Sequence, residues 1–98
     1  MTRGTTPIHV FLTDVDLSEA TEIFISYSQR NSVQIEKALD NITVEPDKLT
    51  VTLTQEETLR LECRTVEIQI RAKLPDGRAL ASNIMTTMVN PVLKGGAI

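Results

Sequence analysis

Apolar and polar residues alternate strictly along residues 65–73, and the same two-residue period returns through most of the chain. Val66, Ile68, Ile70 and Ala72 fall on one side of this segment, while charged and amide residues fall on the other. A period of two is typical of a β-strand with one buried face, because successive side chains point to opposite faces of a sheet. The pattern therefore predicts sheets that bury one face against a core.

Similar segments recur at roughly ten-residue intervals, a spacing typical of all-β sandwiches and barrels. The predicted fold is an all-β antiparallel sandwich of about seven strands, immunoglobulin-like in size. We expect one domain over residues 1–98, with residues 1–6 and 91–98 as flexible arms. The strand order, Greek-key or a simpler meander, stays open. The residues expected on buried faces are Ile8, Val10, Leu12, Ile23, Ile25, Tyr27, Val33, Ile35, Ile42, Val44, Leu49, Val51, Leu53, Val66, Ile68, Ile70 and Ala72.

The turn Leu74–Arg78 sets the register of a hairpin. Proline followed by Asp-Gly suits a three-residue loop that closes on a residue in the left-handed conformation. This loop places Ala72 opposite Leu80 and Ile68 opposite Ile84. A two-residue loop would slip the register by one and turn every later side chain to the other face, so the apolar pattern favours the longer loop.

One segment departs from the strand pattern. Thr54 and Glu57 have the spacing of a helix capping box, in which each side chain bonds the backbone N–H of the other residue. We expect one short helical turn near residues 55–60, with Leu59 or Leu61 filling the end of the core. Just before it, the turn Glu45–Lys48 predicts a hairpin with a two-residue loop.

Charge and composition exclude several function classes. Ten basic and thirteen acidic residues give a net charge of −3, and no basic run is present. Nucleic-acid and anionic-membrane binding both rely on clustered Lys and Arg, so neither partner is expected. Cys63 is the only cysteine and His9 the only histidine. A nucleophile needs a base, and a metal needs several ligands, so we expect no enzyme activity, metal, cofactor or small-molecule substrate.

A contact patch is the one functional feature that the residues themselves suggest. If the first two strands pair as neighbours, Phe11 lies across from Phe24, and both point away from the core. His9 and Met85 would fall on this same outward face. Paired exposed aromatic residues indicate a contact surface. The alternative is that the apolar segment Pro91–Leu93 covers them within the same chain.

Three long segments of the sequence, taken together, resemble a family of short proteins. The opening TPIHVFLTDVDLSEATEIFISYSQ, the middle DNITVEPDKLTVTLTQEETLRL and the end VEIQIRAKLPDGRALASNIMTTMVNPVLKGGAI carry the resemblance over nearly the whole chain. These strings resemble small structural proteins encoded by phages and prophages of low-GC Gram-positive bacteria. They are also similar to the N-terminal β domain of phage baseplate upper proteins. Cys63 and the double glycine Gly95–Gly96 depart from that pattern.

The resemblance implies a non-enzymatic structural or virion-assembly role in a tail, baseplate or capsid. The partners would be other phage structural proteins and further copies of this chain, in the virion or in the bacterial cytoplasm during assembly. No catalytic motif comes with the resemblance. The alternative from another class is a carbohydrate- or host-surface-binding β-sandwich module, although such modules use aromatic platforms and this chain has three aromatic residues.

Overall fold

The computed structural model describes residues 1–98 and contains eight β-strands and one short α-helix. The helix is five residues long, and no helix of the protein meets the length and apolarity needed to span a bilayer. The elements in chain order are β1 Ile8–Leu12, β2 Glu22–Gln29, β3 Ser32–Ala38, a 3₁₀ turn Leu39–Asn41, β4 Thr43–Glu45, β5 Lys48–Thr52, α1 Gln55–Leu59, β6 Thr65–Lys73, β7 Ala79–Ala81 and β8 Met85–Met88.

The strands form two antiparallel sheets that pack face to face, as the sequence predicts. The smaller sheet has the order β1-β5-β4. The larger sheet has the order β3-β2-β6, and β7 and β8 then lie one after the other along the free side of β6. The chain crosses between the sheets after β1, β3 and β5, and hairpins join β2 to β3, β4 to β5 and β6 to β7. The strand order is therefore not that of a simple meander. The similarity to an immunoglobulin domain stays a prediction.

Aliphatic side chains fill the space between the sheets. Burial of such surface contributes about 25 cal/mol per Å², which makes this layer the main stabilising feature of a chain with so few aromatic residues. Tyr27 is the one aromatic residue that is fully buried. The core residues are Leu17, Ile23, Ile25, Tyr27, Ile35, Ile42, Leu49, Val51, Leu53, Leu61, Val66, Ile68, Ile70, Ala72 and Val89.

The predicted three-residue loop is confirmed, but the register that follows it changes. The Leu74 N–H donates to the Arg78 carbonyl oxygen, and Ala72 pairs with Leu80. Further along, Ile68 pairs with Met85 rather than with the predicted Ile84. One extra residue therefore lies in this strand between Ser82 and Met85. It forms a β-bulge and divides the predicted long last strand into β7 and β8.

Ser82 stabilises the bulge. Its backbone N–H donates to the Ile70 carbonyl oxygen, and its Oγ accepts from the Ile70 N–H in place of a backbone carbonyl. The Gln69 side chain also donates to the Ser82 carbonyl oxygen. Because a one-residue shift reverses the two faces of a strand, Met85 and Val89 turn toward the core, while Ile84 becomes exposed.

The capping box at α1 is confirmed. The Thr54 hydroxyl accepts from the Glu57 N–H, and the Glu57 carboxylate accepts from the Thr54 N–H. Of the two candidate leucines, Leu61 enters the core, whereas Leu59 is half-buried. The helical turn therefore closes one end of the sandwich, and we call this end the α1 end.

The first residues are attached to the α1 end rather than extending as an arm. The Arg3 guanidinium donates to the Leu59 and Leu61 carbonyl oxygens. The buried Thr58 hydroxyl accepts from the Gly4 N–H and donates to the Thr5 carbonyl oxygen. Residues 91–98, by contrast, are all exposed and belong to no helix or strand.

Candidate functional site

The strand pairing that would create the predicted contact patch is wrong. β1 pairs with β5 of the smaller sheet, with Phe11 opposite Leu49, and β2 pairs with β3 and β6 of the larger sheet. Phe11 therefore faces the other sheet and packs against the core instead of lying across from Phe24. His9 shares this inner face. Their rings are 6.2 Å apart in an edge-to-face arrangement.

The other two patch residues lie in different places. Phe24 is half-buried on the outer face of the larger sheet, between Ala38 of β3 and Arg71 of β6. Met85 points inward and packs against the core because of the bulge. The four residues thus do not form one surface, although Phe11 and Met85 line the same groove, which is described below.

His9 makes a polar contact across the sandwich. Its Nδ1 and the Tyr27 hydroxyl are hydrogen-bonded at 2.6 Å, which joins β1 of one sheet to β2 of the other. Burial lowers the pKa of His9 below its ordinary value, because a charged imidazolium loses hydration there. The pKa of Tyr27 is raised, first by burial and then by the negative charge of Glu57. Both side chains are therefore neutral at neutral pH, and their bond has a structural role.

A nearly buried ion pair lies close to this contact at the α1 end. Lys37 Nζ is 2.8 Å from Glu57 Oε1, and the two side chains are 11% and 16% exposed. Burial alone would raise the pKa of Glu57. Hydrogen bonds from Lys37 and from the Thr54 N–H, together with the Lys37 charge, outweigh burial and leave that pKa below its ordinary value. The pair thus joins β3 to the helix cap.

The outer face of β1 is apolar and exposed. Ile8, Val10 and Leu12 were expected in the core, but they are 66%, 53% and 83% exposed. They form a stripe along one strand and lie beside Thr50 and Lys48 of the neighbouring strand β5. Scattered exposed apolar residues are ordinary, but a contiguous stripe is a feature of contact surfaces. We call these three residues the β1 stripe.

β1 also has a free backbone edge. The Leu53 N–H donates to the Pro7 carbonyl oxygen, and the Thr13 N–H donates to the Asp47 carbonyl oxygen. In an antiparallel ladder, alternate residues bond to the same neighbour, so the odd-numbered residues of β1 bond to β5. The N–H and C=O groups of the β1 stripe consequently point away from β5. Since β1 is the last strand of its sheet, they have no strand partner.

An apolar groove of about 560 Å³ lies beside this free edge. The larger sheet is four strands wide and the smaller sheet three, so the larger sheet extends past β1 and forms the floor of the groove. Ten of the fourteen lining residues are hydrophobic. The lining includes Val10, Phe11, Thr13 and Asp14 from β1 and the loop after it, and Leu80 and Met85 from the larger sheet. We call this feature the edge groove.

One polar atom is left without a partner near the edge groove. The Thr13 Oγ1 is buried and makes no hydrogen bond within the protein. Buried hydroxyl groups are normally paired, because an unpaired group costs about 1–3 kcal/mol. The edge groove is therefore a place where an added chain segment has both an apolar floor and unpaired polar groups to bond.

Cys63 and Asp16 are not among the residues that line this groove. Cys63 is exposed in the loop between α1 and β6. The Asp16 carboxylate accepts from the Ser18 N–H and so orders the loop after β1. No group of three or more His, Cys, Asp or Glu side chains comes together.

Sequence reasoning missed the β1 stripe because alternation alone does not say which side of a strand is buried. The signal that was available is on the opposite side, where His9 and Phe11 sit in the same strand. An aromatic and an imidazole can supply a buried face as well as aliphatic residues can.

Comparisons with protein-family models, curated proteins and solved structures give no significant match to this chain.

Proposed function

We propose that this protein is a non-enzymatic phage or prophage structural or virion-assembly protein that acts through protein–protein contacts. The observation that supports a contact role is the β1 stripe, which exposes three large aliphatic side chains on the terminal strand of a sheet. The sequence resemblance supports the kind of partner, namely other phage structural proteins. In this proposal the protein works in the virion or, during assembly, in the bacterial cytoplasm.

The energetic reason is straightforward. Removing a Val, Leu or Ile side chain from water stabilises a complex by about 1.5–3 kcal/mol when burial is complete. Three such residues in one row can supply much of the free energy of a modest interface, even after the costs of association. A terminal strand adds backbone groups that a partner can bond.

The test is peptide mass spectrometry on purified particles of a phage or prophage that carries this gene. Peptides at a copy number proportional to a known tail or capsid protein support the virion role. Clear absence from complete particles contradicts it and leaves a transient assembly role, which would be sought in lysates of infected cells.

A pair of variants makes the test specific to the β1 stripe. Leu12→Asp changes the most exposed residue of the stripe. Val33→Asp is the control, because it introduces the same charge at an exposed aliphatic residue of β3, on the other sheet. Neither should greatly lower the melting temperature. We expect Leu12→Asp alone to reduce incorporation into particles. Equal incorporation of both variants would argue against the stripe as the contact.

The alternative, a carbohydrate- or host-surface-binding module, predicts a different result. Binding of the purified protein to a glycan array, together with absence from the particle's structural proteins, would favour it. Phe11 is the only aromatic residue that lines the edge groove, and it packs against the core.

A further inference from the structure

We infer that the edge groove is a strand-acceptor site, and that residues 91–98 of a second copy of this chain dock there as an added strand beside β1. The inference specifies a partner for the contact role proposed above and depends on that role only for its biological meaning. Self-association is measured on the purified protein, so its failure is distinguishable from failure of the virion test.

The first step of the argument is the match between the free edge and the groove. An added strand beside β1 can bond the N–H and C=O groups of Ile8, Val10 and Leu12, which point away from β5. The same strand would lie over Leu80 and Met85, the part of the larger sheet that extends past β1. One extended segment thus pairs the backbone edge and covers the apolar floor together. This is the β-augmentation mode of peptide recognition.

The second step identifies the segment. Residues 91–98 are exposed throughout, and Leu93 is fully exposed although it is a large aliphatic residue. In an extended conformation, Leu93, Gly95 and Ala97 fall on one face. One large and two small side chains suit a groove whose floor lies close beneath the added backbone. Lys94 gives the segment a positive charge, and Asp14 gives the groove a negative one.

The third step favours a second copy over the chain's own segment. Asn90 is held at the α1 end, where its N–H donates to the Met1 carbonyl oxygen and its own carbonyl oxygen accepts from the Arg3 N–H. At the far end of the segment, the Ile98 N–H donates to the Gln55 side chain of α1. The groove opens at the opposite end of β1, toward Asp14, on the order of 20 Å away at the rise of a β-strand. Because both of its ends are held at the α1 end, the segment does not lie in its own groove and is presented for contact with another copy.

Docking closes a dimer when two copies exchange segments reciprocally, and it is heterologous when the segment of one copy meets the groove of the next. Such contacts generate rings when the rotation closes and open chains when it does not. A strand of this length makes a small interface, so we expect weak, concentration-dependent association in the free protein.

The test is a complementation experiment in which sedimentation velocity measures the association of two purified, folded variants. One variant lacks residues 91–98 and keeps the groove. The other carries Val10→Pro and keeps the segment. Proline at Val10 removes an N–H that points to the free edge, so the β1–β5 hydrogen bonds stay in place. Proline is tolerated at such positions of edge strands. Val10→Thr is the reference for the proline variant, since it changes the side chain at the same position and retains the N–H, so that the difference between the two variants measures the backbone contribution.

We expect the unaltered chain to exceed its monomer mass of 10.9 kDa as concentration rises. At concentrations where the unaltered chain associates, each variant alone should be mainly monomeric, and an equimolar mixture should form a one-to-one pair. Val10→Thr keeps the N–H and should weaken association only through its more polar side chain, whereas Val10→Pro should weaken association about tenfold more than Val10→Thr does, as expected for one lost hydrogen bond plus a steric block. Thermal unfolding of every variant establishes that loss of association is not loss of fold.

Two results would overturn the inference. The first is an unaltered chain that stays monomeric at all concentrations, or variants that fail to complement each other when mixed. The second concerns hydrogen exchange at the Val10 N–H. If this group is protected in a monomer and loses protection when residues 91–98 are removed, the chain's own segment occupies the groove and a second copy does not.

Discussion

Removal of the Glu57 charge should destabilise the protein far more than its position near the surface suggests. In Glu57→Gln, the Lys37 ammonium group keeps its nearly buried position but loses its counter-charge, and its side chain is only 11% exposed. Breaking such a pair by removing one partner costs about 3–5 kcal/mol. The glutamine oxygen can still accept from the Thr54 N–H, so we expect the lower end, about 3 kcal/mol.

The double variant Lys37→Met with Glu57→Gln separates the cost of an unpaired charge from the loss of packing. Replacement of both charges by uncharged side chains of similar length is often neutral or stabilising. We therefore expect the double variant to lie within about 1 kcal/mol of the unaltered protein, and to be more stable than Glu57→Gln alone. Such non-additivity is the signature of a direct interaction between the two sites.

Urea unfolding at pH 7 measures these differences, provided that the slope of free energy against urea is the same for all variants. For a chain of this size, 3 kcal/mol corresponds to a loss of roughly 12–24 °C in melting temperature. A cost below about 1 kcal/mol for Glu57→Gln, or a double variant as unstable as the summed costs of Glu57→Gln and Lys37→Met measured singly, would refute the reasoning. Either result would mean that the pair is effectively solvated.

Acid titration gives an independent check on the same pair. The folded pKa of Glu57 is lowered, so its stabilisation is fully present above the unfolded value of about 4.3 and is lost as the pH falls through the folded value. The difference in stability between the unaltered protein and Glu57→Gln should therefore shrink on acidification below that value. A constant difference would indicate that the carboxylate does not carry the effect.

Three further changes test other parts of the structure. His9→Gln should flatten the pH dependence of stability in mild acid. The folded pKa of His9 is lowered, so stability is complete above about 6.5 and falls as the unfolded chain takes up a proton; an unchanged profile in chemical denaturation would contradict this. Thr58→Val should cost about 1–3 kcal/mol, because the Gly4 N–H and the Thr5 carbonyl oxygen lose their partner; amide exchange over residues 1–6 should then accelerate, and equal exchange would count against the attachment. Gly77→Ala should cost about 1–2 kcal/mol, because φ is +90° and this conformation is unfavourable for a residue with a Cβ. A clash does not contribute, since no atom lies within 4 Å of the added Cβ. A neutral result in thermal unfolding would show that the turn relaxes.

Features that depend on a few neighbouring residues were predictable from the sequence. Asp76 and Gly77 specify their loop, and Glu45 pairs with Lys48 across the two-residue turn as expected. The Thr54–Glu57 capping box is equally local. In each case the turn or cap forms its own hydrogen bonds, so the tertiary fold has little influence on it.

The bulge in the last strand was not predictable from alternation. Ala79 to Met88 reads as one strand, and the apolar pattern alone gives a single register. Ser82 changes that register because its hydroxyl can replace a backbone acceptor for the Ile70 N–H. A serine in a strand gives no sign of this role until its neighbour across the sheet is known.

The sheet to which β1 belongs was also beyond the sequence pattern, because it depends on pairing with β5 some forty residues away. The reversal of β1 follows from what its two faces contact. His9 and Phe11 are needed inside, where one bonds Tyr27 and the other packs against the core. That leaves Ile8, Val10 and Leu12 outside. A strand that needed only to be soluble would carry polar residues there, and threonines and a lysine do occupy the adjoining strand β5.

Aliphatic residues on the outer face of β1 are therefore mostly exposed in the isolated fold, and burial of the exposed part of each could contribute about 1–2 kcal/mol to a complex. Edge strands in soluble proteins are commonly protected by charges, proline or a bulge, because an open apolar edge promotes association. β1 has neither a charged residue nor a proline within Ile8–Leu12. The same strand combines an unprotected edge, an apolar outer face and an apolar groove at its side, and this combination is the physical basis of the proposed contact role.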